Sequence, residues 1–339
     1  MKILVTGGTG YIGSHTIVDL IEHGFDVVSV DSFINSDGSA LEGIKAITGK
    51  DVKNYHVDLR DKDKTRKIFE ENPDIEGIIH FAALKAVGES VEKPLLYFDN
   101  NINSLLNILE NIVDHGVKYF IFSSSCTVYG TPDKLPVDEN TPVKEAESPY
   151  GRTKQISEQI SKDVLKNTKA KAIMLRYFNP AGAHESALLG ESPALPPLNL
   201  VPVITETAIG KRPSMQVFGT DYDTRDGSAI RDYIHVMDLA GAHTKALQYL
   251  IGNSDAPAYD VFNLGIGQGV TVLEAIHAFE KVTGQKLNYV LSDRRPGDIP
   301  AIYADYSKAK KILKWHPKRD INAIMKTAWE WEKVRSGQK

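Results

Sequence analysis

Short runs of apolar and β-branched residues alternate with helical patterns over the first half of the chain, and this alternation restricts the fold more than any other feature. The predicted strands are residues 3–6, 25–31, 52–57, 75–81, 118–123 and 172–177, and the helices between them are 12–23, 39–48, 61–71, 93–114 and 150–167. Such alternation builds βαβ units and a mostly parallel sheet. The strand runs are almost continuously apolar, as in strands covered on both faces. The predicted fold class is α/β with a doubly wound parallel sheet.

The alternation ends at Asn179-Pro180, after which residues 180–202 are rich in Pro, Gly and Ala. An irregular segment of this length is expected to mark a domain boundary. We therefore predict a first domain at 1–179, to which 232–264 return, and a smaller α/β domain at 180–339. Later expected elements are helices at 236–251, 271–283 and 320–335 and a strand at 259–264, with Thr271 as the N-cap of its helix.

The composition excludes several classes of function. The chain has 339 residues with 40 Lys and Arg against 44 Asp and Glu, a formal net charge of -4, so no global basic field would attract nucleic acid. The single cysteine, Cys126, can form neither an internal disulfide nor a zinc cluster, and the 10 histidines follow no metal-binding pattern. We expect no metal, no targeting peptide, no membrane segment and a cytoplasmic location.

The N-terminal sequence Lys2-Ile-Leu-Val-Thr-Gly-Gly-Thr-Gly-Tyr-Ile-Gly13 passes from a predicted strand through a glycine turn into a predicted helix. Gly8, Gly10 and Gly13 match G-x-G-x-x-G, which lets a pyrophosphate approach the backbone at the N–H groups of a helix start. Asp31 ends the next predicted strand, where an acid accepts hydrogen bonds from a ribose and repels a 2′-phosphate. The pattern indicates a Rossmann-type site for NAD in preference to NADP.

Tyr150 and Lys154 stand four residues apart on a helix that Pro149 is suited to begin. Residues at this spacing share one helix face. A nearby ammonium favours the phenolate, so we expect Lys154 to lower the pKa of Tyr150. A tyrosine tuned in this way takes a proton from an alcohol while hydride leaves the same carbon.

Three serines, Ser123, Ser124 and Ser125, end a predicted strand. Ligands of doubly wound sheets bind beyond the carboxyl ends of the strands. We expect one of the three hydroxyls to bond the reacting oxygen and the other two to cap the strand end.

These motifs together resemble the extended short-chain dehydrogenase/reductase family. The resemblance rests on Thr6-Gly-Gly-Thr-Gly-Tyr-Ile-Gly13, Asp31, Ser123-Ser-Ser125, Tyr150-x-x-x-Lys154 and Tyr177-Phe-Asn-Pro180. Other stretches narrow it to the nucleotide-sugar 4-epimerases that interconvert UDP-galactose and UDP-glucose. They are residues 80–90, Asp99-Asn-Asn101, residues 231–238 and Arg294-Arg-Pro-Gly-Asp298. The resemblance runs from residue 1 to about 335.

The resemblance implies a role for each matching residue. The catalytic group would be Ser125, Tyr150 and Lys154. Contacts to NAD would come from Gly7, Gly10, Tyr11, Ile12, Gly13, Asp31, Asn35, Ser36, Asp58, Leu59, Phe81, Ala82, Lys85, Asn100, Lys154 and Tyr177. The UDP-sugar would contact Ser125, Tyr150, Asn179, Asn199, Leu200, Phe218, Arg231, Tyr233, Arg295, Asp298 and Ile302. Members of this family also pair as homodimers through helices that correspond here to 93–114 and 150–167.

The implied reaction inverts one hydroxyl. Tyr150 takes the proton of the sugar 4-hydroxyl, hydride moves to NAD, the 4-ketose turns, and hydride returns to its other face. Arg231 and Arg295 are suited to fork onto the diphosphate, whereas Arg294 is expected to be structural.

Three alternatives remain open. A nucleotide-sugar 4,6-dehydratase needs an acid and a base after the catalytic hydroxyl residue, where this chain has Cys126 and Thr127. The second alternative is a 4-epimerase that acts on N-acetylated UDP-hexosamines or on both substrate types. This specificity would depend on the size of the residue at position 302. Related enzymes carry a large aromatic or a small residue there, and Ile302 is intermediate in size. A non-catalytic dinucleotide sensor would be expected to lack Tyr150 or Lys154.

Two further features are expected to be structural. The glycine cluster Asn263-Leu-Gly-Ile-Gly-Gln-Gly269 resembles a nucleotide loop, but no acid follows it at the right spacing, so a turn is favoured. His80 lies in an apolar strand and is expected to be a hydrogen-bonded core residue.

Overall fold

The computed structural model describes residues 1–193, 196–295 and 298–337. Pro296 and Gly297 of the Arg294–Asp298 motif therefore lie outside the described residues. The first half contains β1 (Lys2–Thr6), α1 (Tyr11–Glu22), β2 (Asp26–Asp31), α2 (Ala40–Thr48), β3 (Lys53–His56), α3 (Lys62–Glu71), β4 (Ile75–His80), α4 (Val87–Glu92), α5 (Pro94–His115), β5 (Tyr119–Ser125), a 3-10 turn (Cys126–Tyr129), α6 (Pro149–Leu165) and β6 (Lys171–Tyr177).

The second half contains β7 (Asn179–Ala181), α7 (Leu200–Ala208), β8 (Met215–Phe218), β9 (Ile230–Arg231), β10 (Tyr233–His235), α8 (Val236–Gly252), β11 (Tyr259–Leu264), β12 (Val270–Thr271), α9 (Val272–Thr283), β13 (Tyr289–Ser292), β14 (Ala301–Ile302), α10 (Ser307–Ile312) and α11 (Ile321–Arg335). Among the described residues, none of these helices combines the length and the apolar character that crossing a membrane requires.

A seven-stranded parallel sheet in the order β11-β6-β5-β4-β1-β2-β3 forms the centre of the fold. Side chains that alternate along each strand enter two apolar layers. One layer packs the sheet against α1, α2 and α8, and the other packs it against α3, α5 and α6. The predicted α/β class with a doubly wound parallel sheet is confirmed.

The predicted elements of the first half are found with their ends shifted by one or two residues. β5 runs on to Ser125, so the three serines belong to the strand itself. The segment 180–202 is less irregular than predicted, because β7 includes Pro180 and Ala181 and α7 begins at Leu200. Short elements such as α4 and α10 lack a periodic apolar pattern long enough to read from sequence.

Elements from beyond the predicted boundary contribute to both parts of the molecule. β11 extends the central sheet next to β6, while α7, α9 and α11 enclose a separate apolar cluster with Met215 and Val217 of β8. A small cluster joins Cys126 and Tyr129, just after β5, to Ile302 and Ala304. The division of the chain into domains at residue 179 stays a prediction.

Candidate active site

The glycine turn lies between β1 and the start of α1. Gly7 has a φ of +66°, and a Cβ there would lie 2.9 Å from the backbone nitrogen of Ala82. A Cβ on Gly13 would collide with the carbonyl oxygen of Gly7 and lie 2.9 Å from the Cα of Gly8. Only glycine fits these positions. Gly10 is the N-cap of α1 and provides no side-chain cap, so first-turn N–H groups remain available to an anion.

Asp31 lies at the end of β2, beside the turn. Its carboxylate accepts hydrogen bonds from the Thr9 and Phe33 backbone N–H groups, at 3.2 and 3.0 Å, and from the Ser36 hydroxyl at 3.3 Å. These bonds orient the carboxylate between the turn and the loop after β2, where Asn35 is exposed.

Most of the other predicted cofactor residues follow strand ends at the same edge of the sheet. Asp58 and Leu59 come after β3, Phe81 and Ala82 after β4, and Tyr177 ends β6. Arg60 ties Asp58 to Asp99, with Nη–Oδ2 distances of 2.7 Å to each. The glycine turn, the uncapped helix start and Asp31 fit the pyrophosphate and ribose of a dinucleotide.

The remaining predicted cofactor residues lie on the helices and loops around this edge. The Tyr11 hydroxyl donates to the carbonyl of Gly182, and Asn100 on α5 donates to Asn101. Lys85 and the predicted substrate residue Asn199 both bond the Glu191 carboxylate, at 3.5 and 3.2 Å. Sequence reasoning did not identify Glu191, because it lies in the irregular segment without a motif.

The three serines of β5 have different partners. Lys154 Nζ donates to the carbonyl oxygen of Ser123 at 2.6 Å, and the Tyr177 hydroxyl donates to the Ser123 hydroxyl. Ser124 donates to Glu158, and the Ser125 hydroxyl accepts from the Thr127 backbone N–H at 3.2 Å and lies close enough to Tyr150 to act on the pKa of its phenol. The structure therefore brings Ser125, Tyr150 and Lys154 together at the carboxyl end of the sheet.

The expected lowering of the Tyr150 pKa by Lys154 is wrong for the protein's own groups. Desolvation raises the pKa of Tyr150 to about 12, although the hydrogen bond with Ser125 acts in the other direction. Burial also lowers the pKa of Lys154 to about 7, opposed by the Glu158 carboxylate. The Lys154 nitrogen lies 5.8 Å from the centre of the Tyr150 ring, and its hydrogen bond goes to Ser123 instead.

A second group of predicted residues meets around Asp298. This carboxylate pairs with Arg295 at 2.9 Å and with Arg231 at 3.4 Å. The Arg295 guanidinium lies over the ring of Phe218, 4.9 Å from its centre. Burial raises the pKa of the neighbouring Tyr233 to about 12, and the two arginines oppose the rise. Two guanidinium groups on one carboxylate leave N–H donors for a further anion.

The other predicted substrate residues are Ile302 and Asn179, on strands that pair with those of Arg231 and Tyr233, and two residues at the start of α7. Ile302 on β14 stands opposite Arg231 of β9 and is 5% exposed, packed in the cluster that contains Cys126. Asn179 begins β7, which pairs with β10 through Tyr233. Asn199 is the N-cap residue of α7 and Leu200 is the first residue of that helix.

The second glycine cluster wraps a carboxylate of the chain itself. Asp232 is fully buried and accepts backbone N–H groups from Ile266, Gly267 and Ala304 at 2.7, 3.2 and 3.0 Å. A Cβ on Gly265 would collide with this carboxylate. The loop therefore resembles an anion site because it holds an anion, Asp232. Sequence reasoning missed this residue although it stands between Arg231 and Tyr233.

His80, Arg294 and Thr271 have the structural partners that were expected of them. His80 is buried and bonds Thr6 through Nδ1 at 2.8 Å, and burial lowers its pKa to about 3. Arg294 pairs with Asp221 at 2.7 Å. Thr271 caps α9 in a capping box with Glu274. Within the described ranges, no three His, Cys, Asp or Glu side chains are arranged to hold a metal ion.

The fold and this site define a Rossmann-fold enzyme of the extended short-chain dehydrogenase/reductase class. A protein-family model described as GDP-mannose 4,6 dehydratase matches residues 4–328. The chain is similar to the UDP-glucose 4-epimerase of Pasteurella multocida (strain Pm70), at 50% identity over 334 residues and 98% of each chain. It belongs to the UDP-glucose 4-epimerase family.

Solved structures of UDP-glucose 4-epimerases are also similar to this chain. A UDP-glucose 4-epimerase from Bifidobacterium longum in complex with NAD+ and UDP is 47% identical over 99% of each chain, with a TM-score of 0.94. One from Stenotrophomonas maltophila with bound NAD and formylated UDP-arabinopyranose is 45% identical over 99% of each chain, with a TM-score of 0.95.

Proposed function

We propose that this enzyme interconverts UDP-galactose and UDP-glucose by transient oxidation at the sugar C4, with rotation and re-reduction of a 4-keto intermediate. The observation that carries the proposal is the meeting of Ser125, Tyr150 and Lys154 at the edge of the sheet that also holds the glycine turn. Family membership and the epimerases of similar structure support the same substrate pair.

The cofactor site is best suited to NAD, which, when bound, supplies the acceptor and donor of hydride. The start of α1 offers N–H groups to the pyrophosphate, since Gly10 leaves them uncapped. Asp31 is suited to accept hydrogen bonds from ribose hydroxyls, and it disfavours a 2′-phosphate through like-charge repulsion. Lys154 is 4% exposed and lies at the carboxyl end of β5, where its ammonium would be suited to the second ribose of a bound dinucleotide.

Tyr150 is the group that exchanges a proton with the sugar 4-hydroxyl, and Ser125 shares that oxygen by a hydrogen bond. With a pKa of about 12 set by desolvation, Tyr150 holds its proton at neutral pH. A positive charge brought next to the phenol favours the phenolate, so this pKa would be lower with an oxidised nicotinamide ring bound beside it. The tyrosine is therefore expected to become a base only in the loaded enzyme.

Arg231 and Arg295 are proposed to hold the diphosphate, with Asp298 orienting both guanidinium groups. This arrangement fixes the nucleotide and leaves the hexose to turn about its bond to the diphosphate. Rotation exposes either face of the 4-keto group to the same hydride donor, which is what inversion at C4 requires.

Dehydration of the sugar is disfavoured by the residues that follow Ser125. Cys126 and Thr127 occupy the places where a dehydratase needs carboxyl groups. Burial raises the pKa of the Cys126 thiol to about 12, so it is neutral and a poor acid or base.

The direct test is conversion of UDP-galactose to UDP-glucose by the purified protein loaded with NAD, followed with UDP-glucose dehydrogenase as the coupling enzyme. We expect steady formation of UDP-glucose with wild-type protein and almost none with Tyr150→Phe. No conversion by folded, NAD-loaded protein would refute the proposal. A 4-keto-6-deoxy product would show dehydration instead.

A homodimer is proposed through α5 and α6. Exposed apolar side chains on α5 include Leu95, Leu106 and Val113, at 83%, 41% and 50% exposure. Apolar groups at these positions are stabilised when a second copy covers them. Light scattering after size exclusion is expected to give twice the chain mass for wild type and a monomer for Leu106→Arg. The matched change Leu291→Arg, on β13, should leave a dimer; a monomeric wild type contradicts the proposal.

A cytoplasmic location is proposed from the single free thiol of Cys126, which is typical of a reducing compartment.

A further inference from the structure

Three residues of α6, spaced four apart, each engage a different serine of β5. Tyr150 lies close enough to the Ser125 hydroxyl for it to act on the phenol's pKa, and Lys154 donates to the Ser123 carbonyl at 2.6 Å. Glu158 accepts from the Ser124 hydroxyl at 2.5 Å. Tyr150, Lys154 and Ser125 are the residues proposed to act in the reaction, whereas the contact between Ser124 and Glu158 has no role in the chemistry described above.

Glu158 is also held from the next strand of the sheet. Arg176 donates to both of its carboxylate oxygens, at 2.8 and 2.5 Å, and stands directly opposite Ser124 in the pairing of β5 with β6. Glu158 and Arg176 are 6% and 5% exposed, and Ser124 is fully buried. Bidentate pairs fix direction as well as distance, so Glu158 locks α6 to two neighbouring strands.

We propose that Glu158, held by Ser124 and Arg176, is a positioning residue for epimerisation. It sets α6 against β5 so that Tyr150 and Lys154 meet Ser125, and its charge keeps Lys154 as an ammonium. This inference rests on the proposed function.

A buried ion pair alone is weak evidence for stability, since apolar replacements are often as stable. The position of the Glu158–Arg176 pair therefore points to a role other than stability. It lies one helical turn beyond Lys154, and residues at that spacing have their Cβ atoms roughly 5–6 Å apart. Glu158 is thus the acidic neighbour of Lys154 on the same helix face.

The groups around Lys154 are Tyr150 and Glu158 on α6, His80 on β4, and Tyr177 on β6, which bonds the same serine as Lys154. Burial raises the pKa of both tyrosines and lowers the pKa of His80, so these three are neutral near pH 7. The charged neighbour among them is Glu158, which favours the ammonium. Removing the Glu158 charge therefore lowers the Lys154 pKa further below about 7.

Two variants test the proposal in the NAD-loaded enzyme with UDP-galactose as substrate. Glu158→Gln is expected to move the alkaline limb of the kcat profile to lower pH by about one unit, the low end of the effect of a close opposite charge. Ser124→Ala keeps the ion pair but removes the link to β5. Its kcat is expected to fall about tenfold, because small misplacements of catalytic groups are costly, while KM changes less than about twofold.

Matched controls separate positioning from a loss of packing. Ser161→Ala removes another buried hydroxyl of α6, and Glu332→Gln neutralises another buried, ion-paired carboxylate on α11. Both are expected to keep the wild-type kcat and pH profile, even if their melting temperatures fall. If Ser124→Ala keeps kcat within about twofold, the proposal is overturned.

An unmoved alkaline limb in folded Glu158→Gln also overturns the proposal. If that variant does not fold, Ser124→Ala alone decides, since it leaves the Glu158–Arg176 pair intact. Failure of the proposed function is a separate result, because the wild-type enzyme itself would then not convert UDP-galactose.

Discussion

Asp232 gives a prediction in which two physical effects compete. Its buried carboxylate accepts three backbone N–H groups, and such bonds favour the charged form. Burial outweighs them and raises the pKa from 3.8 to about 6. The folded protein therefore binds a proton at this site more tightly than the unfolded chain does.

The sign and the size of the effect follow from linkage. A pKa raised by about two units corresponds to about 3 kcal/mol, at 1.36 kcal/mol per unit. Because the folded pKa lies above the unfolded one, this contribution is complete below about pH 4 and is lost as pH rises through about 6. Asp232→Asn removes the titrating group. It also leaves one acceptor oxygen and an N–H₂ group facing three backbone N–H donors, where the carboxylate offers two oxygens.

The assay is the free energy of unfolding by urea for wild type and Asp232→Asn between pH 4.5 and pH 7.5. The variant is expected to be less stable throughout, and the advantage of wild type should grow by about 2 kcal/mol as pH falls from 7.5 to 4.5. Asp74→Asn is the control, since Lys2 lowers the pKa of that exposed carboxyl further below this pH window, so the wild-type advantage over this variant should stay nearly constant. A wild-type advantage over Asp232→Asn that is constant or shrinks towards pH 4.5 refutes the reasoning.

Three other substitutions test the site. Tyr150→Phe should lower kcat by about 10²–10⁴ with little change in KM or melting temperature, and an unchanged turnover would exclude Tyr150 as the base. Gly13→Ala should reduce the amount of bound NAD, measured by absorbance after denaturation, because the added Cβ would lie 2.9 Å from the Gly8 Cα. In the control Gly88→Ala the added Cβ has no atom within 4 Å, so this variant should bind NAD normally. Ile302→Cys should raise kcat/KM for UDP-N-acetylgalactosamine relative to UDP-galactose by about tenfold, the order expected for freed apolar volume; an unchanged ratio would argue against a gate at this position.

The parts of the fold that sequence predicted were those with local signals. The strand, glycine turn and helix at the N-terminus follow from residue types within a dozen positions, and the apolar runs located the first six strands. Tyr150 and Lys154 share a helix face by spacing alone.

The rest depends on contacts between distant segments. Asp232, Gly267 and Ala304 meet only when three separate stretches fold together. The Tyr150 pKa was predicted in the wrong direction because spacing reveals a nearby lysine but not the desolvation that outweighs it.

The central claim is that hydride leaves C4 of the sugar and returns to the same carbon without exchange with water. The most direct measurement uses UDP-galactose carrying deuterium at C4, in ordinary water, with NAD-loaded enzyme and product analysis by mass spectrometry. The account predicts UDP-glucose that retains deuterium at C4. UDP-glucose with hydrogen from water at C4 would contradict it.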